Sequence, residues 1–207
     1  MLLFDFDGVM ADSLQIYTDI CTRAARCQGY QGNLPANPFA ELEHVTFEAL
    51  AETLGLCPAG FAADATAFLG KRSDTAPAFA SIIDTLKNIS TEIPVGILSA
   101  SPKGFIERFL TANDITDCIS VLLSRSEPGT KAEKIMSLRR EGHFRPIALV
   151  GDGVSDVKAA ATAGIASIGV TWGWQSPEKL LSQGATFMAG SPDEIQAIAM
   201  QLWSYTG

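Results

Sequence analysis

Basic residues are scarce in this sequence: 15 Lys and Arg stand against 23 Asp and Glu, so the 207 residues carry a formal net charge of −8. Nucleic acids and anionic membrane surfaces attract proteins through clustered Lys and Arg. We therefore expect neither as a partner. A phosphate ligand would need positive charge supplied locally.

Long apolar runs are also missing. No stretch approaches the roughly 20 apolar residues that a membrane-spanning helix requires. Asp5 arrives before the basic and apolar regions of a signal peptide could form. We expect no membrane span and a cytoplasmic location.

Cysteines are few, and no two of them form a C-x-x-C pair. A chain of this length does not need disulfides to hold its core together. We expect reduced, mostly buried thiols at Cys21, Cys27, Cys57 and Cys118.

Five short apolar runs recur along the chain, and each leads through a turn into a helical pattern. Uniformly apolar strands are typical of parallel sheets covered by helices on both faces, and their alternation with helices is typical of α/β proteins. With 47% hydrophobic residues available for a core, we expect an α/β fold with a doubly wound parallel sheet. The predicted strands are Leu2–Phe4, Val95–Leu98, Ile119–Leu123, Ile147–Val150 and Ala166–Val170.

Proline and glycine mark the predicted helix boundaries. A capping residue followed by proline indicates a helix start, and glycine, which readily adopts the left-handed conformation, indicates a helix end. The predicted starts are Asn37–Pro38, Ser101–Pro102, Ser176–Pro177 and Ser191–Pro192, and the predicted ends are Gly55, Gly70, Gly142, Gly164 and Gly184.

Residues 14–76 show helical patterns and no convincing strand. The segment is too long for an ordinary crossover connection. We therefore predict a helical cap domain at 14–76, inserted into a catalytic core formed by residues 1–13 and 77–207. The alternative is that these helices simply cover the sheet.

Asp5 and Asp7 lie two residues apart at the end of the first predicted strand, and Gly8 allows a sharp turn after them. Ligands of open α/β sheets bind at the carboxyl ends of the strands. A carboxylate can attack phosphorus and form an aspartyl-phosphate, while a second carboxyl can protonate the leaving group and later activate water. We assign these roles to Asp5 and Asp7 respectively, although the pair alone is equally compatible with a solvated turn.

A second acidic pair, Asp152 and Asp156, follows another apolar strand. Magnesium prefers hard oxygen ligands, commonly one or two carboxylates with phosphate oxygens and waters. We predict that Asp5 and Asp152 bind Mg²⁺, which would offset the repulsion between a carboxylate and a phosphate dianion. The alternative for Asp156 is that it only caps the following helix.

Two further residues suit a phosphate site. Ser99 follows the strand that ends at Leu98, where its hydroxyl can donate to a phosphate oxygen. Lys131 follows the capping residue Thr130 at the start of a predicted helix, from where it can stabilise charge on a transferring group.

These residues together resemble the four motifs of the haloacid dehalogenase superfamily: D-x-D-G at 5–8, Ser99, Lys131, and G-D-G-x-x-D at 151–156. The resemblance implies a Rossmann-like core with a helical cap, Asp5 as nucleophile and Asp7 as general acid and base. It also implies Mg²⁺ bound by the Asp5 carboxylate, the Asp7 backbone carbonyl and Asp152, with Asp156 supporting the metal shell. Dehalogenases of this superfamily lack the second acid of the first motif, so Asp7 favours phosphate chemistry. We predict substrate contacts at Gly8, Ser99, Ala100 and Lys131.

The subfamily is less clearly indicated. Ala100 stands where many cap-bearing relatives have Asn, and the sequence around Lys131 resembles phosphoserine phosphatases, whereas residues 159–174 resemble phosphoglycolate phosphatases. We expect a phosphatase that acts on a small-molecule phosphate ester, as a monomer or homodimer. The alternatives are a phosphomutase of the β-phosphoglucomutase type and a non-enzymatic binding or regulatory protein on the same scaffold.

A few other residues were considered for the site. Lys71 and Arg72 are candidates for binding a second anionic group of the substrate, although a solvated pair explains them more simply. Trp172 and Trp174 suit either the site entrance or packing. The two histidines, His44 and His143, have no ligand-like neighbours in sequence and receive no role.

Overall fold

A computed structural model describes residues 1–205. Within them, six parallel strands form one sheet in the order β3-β2-β1-β4-β5-β6. In the central register, Leu2 pairs with Val95 on one side and with Ala148 on the other. The strands are β1 Leu2–Phe4, β2 Val95–Leu98, β3 Ile119–Leu123, β4 Ala148–Gly151, β5 Ala166–Val170 and β6 Phe187–Ala189.

The order confirms the predicted doubly wound sheet. The chain builds outward from β1 through β2 to β3, then returns to the other side of β1 and builds outward through β4 and β5 to β6. The switch point therefore lies between β1 and β4, at the edge where such folds bind ligands. The fourth strand starts and ends one residue later than predicted, and β6 was not predicted because it has only three half-buried or buried residues.

Nine helices occur among the described residues, and those of the core cover both faces of the sheet. Alternate residues of β1 point to opposite faces, as the pleat requires: Leu3 packs in the cluster formed with α6 and α7, and Phe4 packs in the larger cluster on the other face. The helices are α1 Leu14–Cys27, α2 Phe47–Thr53, α3 Pro58–Gly70, α4 Ile82–Ser90, α5 Lys103–Ala112, α6 Lys131–Glu141, α7 Val154–Ala163, α8 Pro177–Ser182 and α9 Pro192–Ser204. A short 3-10 helix, Thr116–Cys118, precedes β3.

The proline signals predicted three of four helix starts. Ser176 and Ser191 cap α8 and α9 through their side chains, and α5 begins one residue later than predicted, with Pro102 at its cap. The prediction at Asn37 was wrong, because no helix begins there. Its side-chain oxygen instead accepts from the amide of Phe39, which satisfies the residue within a turn.

All five glycine signals mark helix ends, four of them in the expected left-handed conformation. Gly55, Gly142, Gly164 and Gly184 follow helices with positive φ, as expected for left-handed terminating residues. Gly70 is different, since it is the last residue inside α3 and the helix ends at Lys71 in a right-handed conformation.

Residues 14–76 contain α1, α2 and α3, which pack on one another, and no strand of the sheet. Their assignment to a separate cap domain stays a prediction. The four cysteines are free, as expected, but the prediction that most are buried was wrong: Cys21 is buried, Cys118 is half-buried, and Cys27 and Cys57 are exposed. None of the helices described is long and apolar enough to cross a membrane.

Candidate active site

Asp5 and Asp152 come together because β1 and β4 are neighbours that end at the same edge of the sheet. The amide of Asp5 donates to the carbonyl of Val150 at 2.8 Å, which extends the β1–β4 pairing to the first residue of the site. A cavity of about 520 Å³ opens above this edge. Six of the eight predicted site residues line it with side chains that carry charge or a hydroxyl: Asp5, Asp7, Ser99, Lys131, Asp152 and Asp156.

Lys131 is the positive centre of the site. Its Nζ lies 2.6 Å from Oδ2 of Asp5 and 2.5 Å from Oδ1 of Asp156. Burial alone would lower the pKa of Lys131, but the carboxylates of Asp156 and Asp5 outweigh that effect and raise it. The lysine is therefore charged at all ordinary pH values. Thr130 positions it by starting α6 with a capping box.

The other oxygen of Asp5 is also fixed. Its Oδ1 accepts from the amide of Phe6 at 2.7 Å. With Oδ2 held by Lys131, the carboxylate has one defined orientation toward the cavity. A nucleophile needs such an orientation to reach an in-line position on phosphorus.

Three hydroxyl groups surround the carboxyl of Asp7. Ser13 donates to Oδ1 at 2.6 Å, and Tyr17 donates to Oδ2 at 3.3 Å. Ser101 also contacts Oδ2 and, through its own hydroxyl, the hydroxyl of Tyr17. Burial raises the pKa of Asp7 to about 6, although the hydrogen bonds from Ser101 and Ser13 oppose this. A carboxyl with this pKa exchanges a proton near neutral pH, as a general acid and base must.

The sequence analysis missed these three hydroxyl residues. Ser101 was interpreted only as a helix cap, and Tyr17 lies in the 14–76 segment, which was interpreted only as helical. Ser13 lies between an acid and a leucine in an unremarkable run. The usable signal was the fixed distance of Ser101 from the strand end at Leu98, which puts its hydroxyl at the same sheet edge as Asp7.

Asp152 is a buried acid whose pKa is raised. Burial raises its pKa well above the usual value, and repulsion from Asp5 and Asp156 raises it further. Its Oδ2 accepts from the amide of Trp174 at 2.7 Å. Gly8 has φ +72, and a Cβ there would lie 1.9 Å from the same oxygen, so this close approach requires glycine.

The three carboxylates fit a divalent cation. Asp5, Asp152 and Asp156 each offer an oxygen, and these oxygens all lie within 4.8 Å of one another. They are hard donors, and the ammonium group of Lys131 contacts two of the three, Asp5 and Asp156. The all-oxygen ligand set matches the preference of Mg²⁺.

Asp156 caps α7 and also contacts Lys131, while its support of a metal shell stays a prediction. Its Oδ2 accepts from the amide of Gly153 at 3.1 Å, which caps α7, and its Oδ1 bonds Lys131. Burial raises its pKa to about 6, and the lysine opposes that rise. The alternative of a cap alone is therefore too narrow.

The residues predicted to touch substrate are not all placed alike. Ser99 is buried at the cavity wall, and its hydroxyl accepts from the amide of Ser101 at 3.1 Å. Ala100 is exposed and lines the cavity. Gly8 does not line it: its amide donates to the carbonyl of Ala11, and it packs beneath Asp152. Gly8 thus supports the position of Asp152, and its predicted substrate contact stays a prediction.

Arg72 was considered for binding a second anionic group, but it forms an ion pair with Asp74. Neither Arg72 nor its neighbour Lys71 lines the cavity. Trp174 lines the cavity, whereas Trp172 lies outside it and donates to the carbonyl of Val9 at 3.3 Å. His44 lines the cavity although the sequence analysis gave it no role.

A segment from Glu43 to Glu48, which we call the lid segment, forms part of the cavity lining through His44, Val45, Thr46 and Phe47. Ion pairs join its two ends to other residues that line the cavity: Glu43 to Lys158 of α7, and Glu48 to Arg125 after β3. Each pair is partly exposed and adds little stability alone.

Family and fold comparisons agree with this site. Residues 2–170 match the family model described as haloacid dehalogenase-like hydrolase. A phosphoglycolate phosphatase from Synechococcus elongatus is 27% identical over 207 residues, which covers 97% of each chain. A phosphoglycolate phosphatase from Yersinia pestis is 30% identical over 108 residues, but this match spans only 49% of our chain and 47% of that protein.

Solved structures share the fold at lower identity. A predicted phosphatase from Clostridium acetobutylicum superposes with a TM-score of 0.82 at 18% identity and covers 97% of both chains. The haloacid dehalogenase-like family protein SP0104 from Streptococcus pneumoniae gives 0.79 at 20% identity, over 95% of our chain and 96% of that chain. The resemblance inferred from the sequence is confirmed, because the family match includes both acidic motifs and all of β1 to β5: the chain belongs to the haloacid dehalogenase-like hydrolases.

Proposed function

We propose that this protein is a magnesium-dependent phosphatase that hydrolyses a small phosphate monoester through an aspartyl-phosphate on Asp5. The observation that carries the proposal is that two neighbouring carboxyls, those of Asp5 and Asp7, have different electrostatic surroundings. Asp5 accepts a hydrogen bond from the ammonium group of Lys131 at 2.6 Å, while burial raises the pKa of Asp7 to about 6. One residue is thus prepared to attack and the other to transfer a proton.

In the first step, a carboxylate oxygen of Asp5 attacks phosphorus as the bond to the ester oxygen breaks. The leaving oxygen takes the proton of Asp7. In the second step, Asp7, now ionised, takes a proton from a water that attacks the aspartyl-phosphate. The phosphorus–oxygen bond to Asp5 breaks, so that inorganic phosphate leaves and Asp5 is regenerated.

Lys131 and Ser99 are suited to the phosphoryl group. The ammonium group of Lys131 lies beside the attacking carboxylate and can compensate charge that develops on the equatorial oxygens. Because the hydroxyl of Ser99 accepts from the Ser101 amide, its own proton is available to a phosphate oxygen.

Asp5, Asp152 and Asp156 would hold Mg²⁺, with the backbone carbonyl of Asp7 as a further ligand implied by the family resemblance. The ion would supply charge neutralisation between the nucleophile and the phosphate dianion. The protein itself holds the carboxylates in place: the Trp174 amide donates a hydrogen bond to Asp152, and the Gly153 amide donates one to Asp156.

The relatives named phosphoglycolate phosphatases support a small phosphorylated acid as substrate. We propose that α1 to α3 and the lid segment act as the cap that selects it. Tyr17, Phe39 and Phe47 belong to this part of the chain, and all three line the cavity that faces Asp5. Neither a nucleic acid nor a membrane is needed as a partner.

The test is release of inorganic phosphate from a panel of phosphate monoesters that includes 2-phosphoglycolate, with and without Mg²⁺. Asp5→Asn should abolish turnover and the 80 Da mass increase of the Asp5 peptide after rapid acid quench. Asp12→Asn is a matched change at an exposed acid nearby, and it should leave both turnover and the mass increase unchanged. Isomerisation of a sugar phosphate without net phosphate release would indicate a phosphomutase, and near-normal activity in Asp5→Asn would refute the nucleophile.

A further inference from the structure

Gln175 is a buried polar residue to which the mechanism above gives no role. It lies just before α8 and is only 2% exposed. Its side-chain oxygen accepts from the amide of Val154 at 2.7 Å. Its side-chain nitrogen faces three backbone carbonyls, those of Leu42 at 2.5 Å, Ala40 at 3.2 Å and Phe39 at 3.4 Å. One side chain thus joins two parts of the chain that are far apart in sequence.

The side-chain amide of Gln175 has one possible orientation. A primary amide combines an oxygen that accepts with a nitrogen that only donates. The N–H of Val154 requires the oxygen, and the three carbonyls require the nitrogen. The reversed amide would leave buried polar groups unpaired at both ends, which is costly. The link is therefore a single planar group with a defined direction.

One end of this link is a turn that begins and ends with proposed metal ligands. Residues 152–156, which we call the acidic turn, lead into α7. The oxygen of Gln175 holds the amide of Val154, and the neighbouring amide of Gly153 donates to Asp156 at 3.1 Å. Gln175 therefore bonds the acidic turn at a point between its two acids.

The other end is a loop of the predicted cap. Residues 37–42, which we call the cap loop, precede the lid segment and include Phe39, which lines the cavity. Trp174 forms a parallel link: its carbonyl accepts from the side chain of Asn37 at 2.6 Å, and its amide donates to Asp152 at 2.7 Å. Two consecutive residues thus join the cap loop to the acidic turn.

We propose that Gln175 is a positioning residue, which anchors the acidic turn to the cap loop and so keeps the carboxylates of the magnesium site converged. The inference rests on the magnesium site of the proposed function and deepens it. Carboxylates whose oxygens lie within 4.8 Å of one another repel each other before a cation binds. Because the turn is held from outside, the site does not have to reorganise when the cation arrives. Residues that orient metal ligands in this way typically contribute about 10- to 100-fold to metal affinity.

The experiment is calorimetric titration of the metal-free protein with Mg²⁺, which needs no turnover. Gln175→Met keeps the length of the side chain and removes both ends of the link. Its dissociation constant for Mg²⁺ should rise about tenfold. Gln175→Asn keeps a polar amide but is one methylene shorter, so it cannot reach both ends. It should also bind Mg²⁺ more weakly, and it replaces Gln175→Met in the test if that variant folds poorly.

Lys179→Met is the matched control. Lys179 also holds the cap loop, since its ammonium group donates to the carbonyl of Ala40 at 2.7 Å and contacts Glu41. Its bonds within the described part of the chain do not include the acidic turn. The link through Gln175 remains in this variant, so its dissociation constant for Mg²⁺ should not change.

Turnover gives a second readout, which separates positioning from a general loss of stability. In Gln175→Met the fault is in metal affinity, so excess Mg²⁺ should restore kcat for p-nitrophenyl phosphate. A variant that has only become less stable would show a lower Tm and bind Mg²⁺ with unchanged affinity in its folded fraction.

Two outcomes overturn the inference while the phosphatase proposal stands. Both Gln175 variants bind Mg²⁺ as tightly as the wild type, or Lys179→Met weakens binding as much as they do. If the wild-type protein binds no Mg²⁺ and releases phosphate from no monoester, the proposed function itself fails and the inference fails with it.

Discussion

Replacing Lys131 with methionine tests the electrostatic design of the site. Methionine has a similar length but no charge, so the change leaves Asp5 and Asp156 without the cation that now lies within 2.6 Å of each. The three side chains are 17%, 14% and 2% exposed, so water from the cavity replaces the lost partner only in part. Breaking a buried ion pair in this way typically costs about 3 to 5 kcal/mol.

The loss should depend on pH in a defined direction. Lys131 has a raised pKa and stays charged throughout the range, so the acids set the dependence. The folded-state pKa of Asp156 is about 6, above its ordinary 3.8, so its ionisation costs folding energy above pH 6 and nothing once both states are protonated. Without Lys131 this cost grows. The deficit of the variant should be largest above pH 7 and shrink toward pH 5.

Thermal unfolding in the absence of Mg²⁺ measures the effect. A protein of this size loses about 2 to 4 °C in Tm per kcal/mol, so Lys131→Met should melt about 6 to 20 °C lower at pH 8. Lys134→Met is the matched control on the same helix, because Lys134 donates to the Ser124 carbonyl at 2.7 Å and forms no ion pair with the catalytic acids. Equal Tm losses for both variants, or a deficit for Lys131→Met that does not change between pH 5 and 8, would contradict the reasoning.

Three further results are expected. Mg²⁺ should raise Tm, and EDTA should reverse the increase. A ligand that binds only the folded state adds about 2.7 kcal/mol to the free energy of unfolding when its concentration is 100 times Kd. The absence of a Tm shift in scanning calorimetry would argue against the carboxylate site. Above pH 6 Asp7 loses its proton, so the turnover rate of alkyl phosphates should fall about tenfold per pH unit. The leaving group of p-nitrophenyl phosphate needs no acid, so its rate of phosphorylation, measured by stopped flow, should fall less. Ser101→Ala removes a hydroxyl from Asp7 and should lower kcat about tenfold with little change in KM; a change in KM alone would mean that the hydroxyl serves the substrate instead.

The sheet was predictable because its strands leave a strong local pattern. The four residues of β2 are all buried, and a strand buried in this way has an unbroken apolar sequence. Strand β6 lacks such a sequence pattern, since Phe187 and Met188 are only half-buried at the edge of the sheet. Asn37–Pro38 carried a genuine local preference, but contacts distant in sequence decided the outcome: Asn37 bonds the Trp174 carbonyl instead of starting a helix.

The site was predictable to the extent that its residues follow strand ends. Asp5 and Asp152 could be paired from topology alone, because β1 and β4 had to be neighbours in a doubly wound sheet. The partners of Asp7 could not, since Tyr17 comes from a helix whose angle to the sheet is set by packing. The same holds for Trp174, whose orientation depends on stacking with Phe39, a contact across 135 residues. Sequence spacing carries no information on such contacts.

A site rich in carboxylates repels a phosphate dianion unless positive charge or protons offset the repulsion. Four carboxyl groups, those of Asp5, Asp7, Asp152 and Asp156, meet at one sheet edge, and the ammonium group of Lys131 contacts two of them. Burial raises the pKa of Asp7 to about 6, so that below this pH it holds a proton. A divalent cation among the other three acids would remove most of the remaining excess, so that the dianion meets a site near neutrality. In the proposed mechanism the leaving group takes the proton of Asp7, so the same buried carboxyl would serve both charge balance before the reaction and acid catalysis during it.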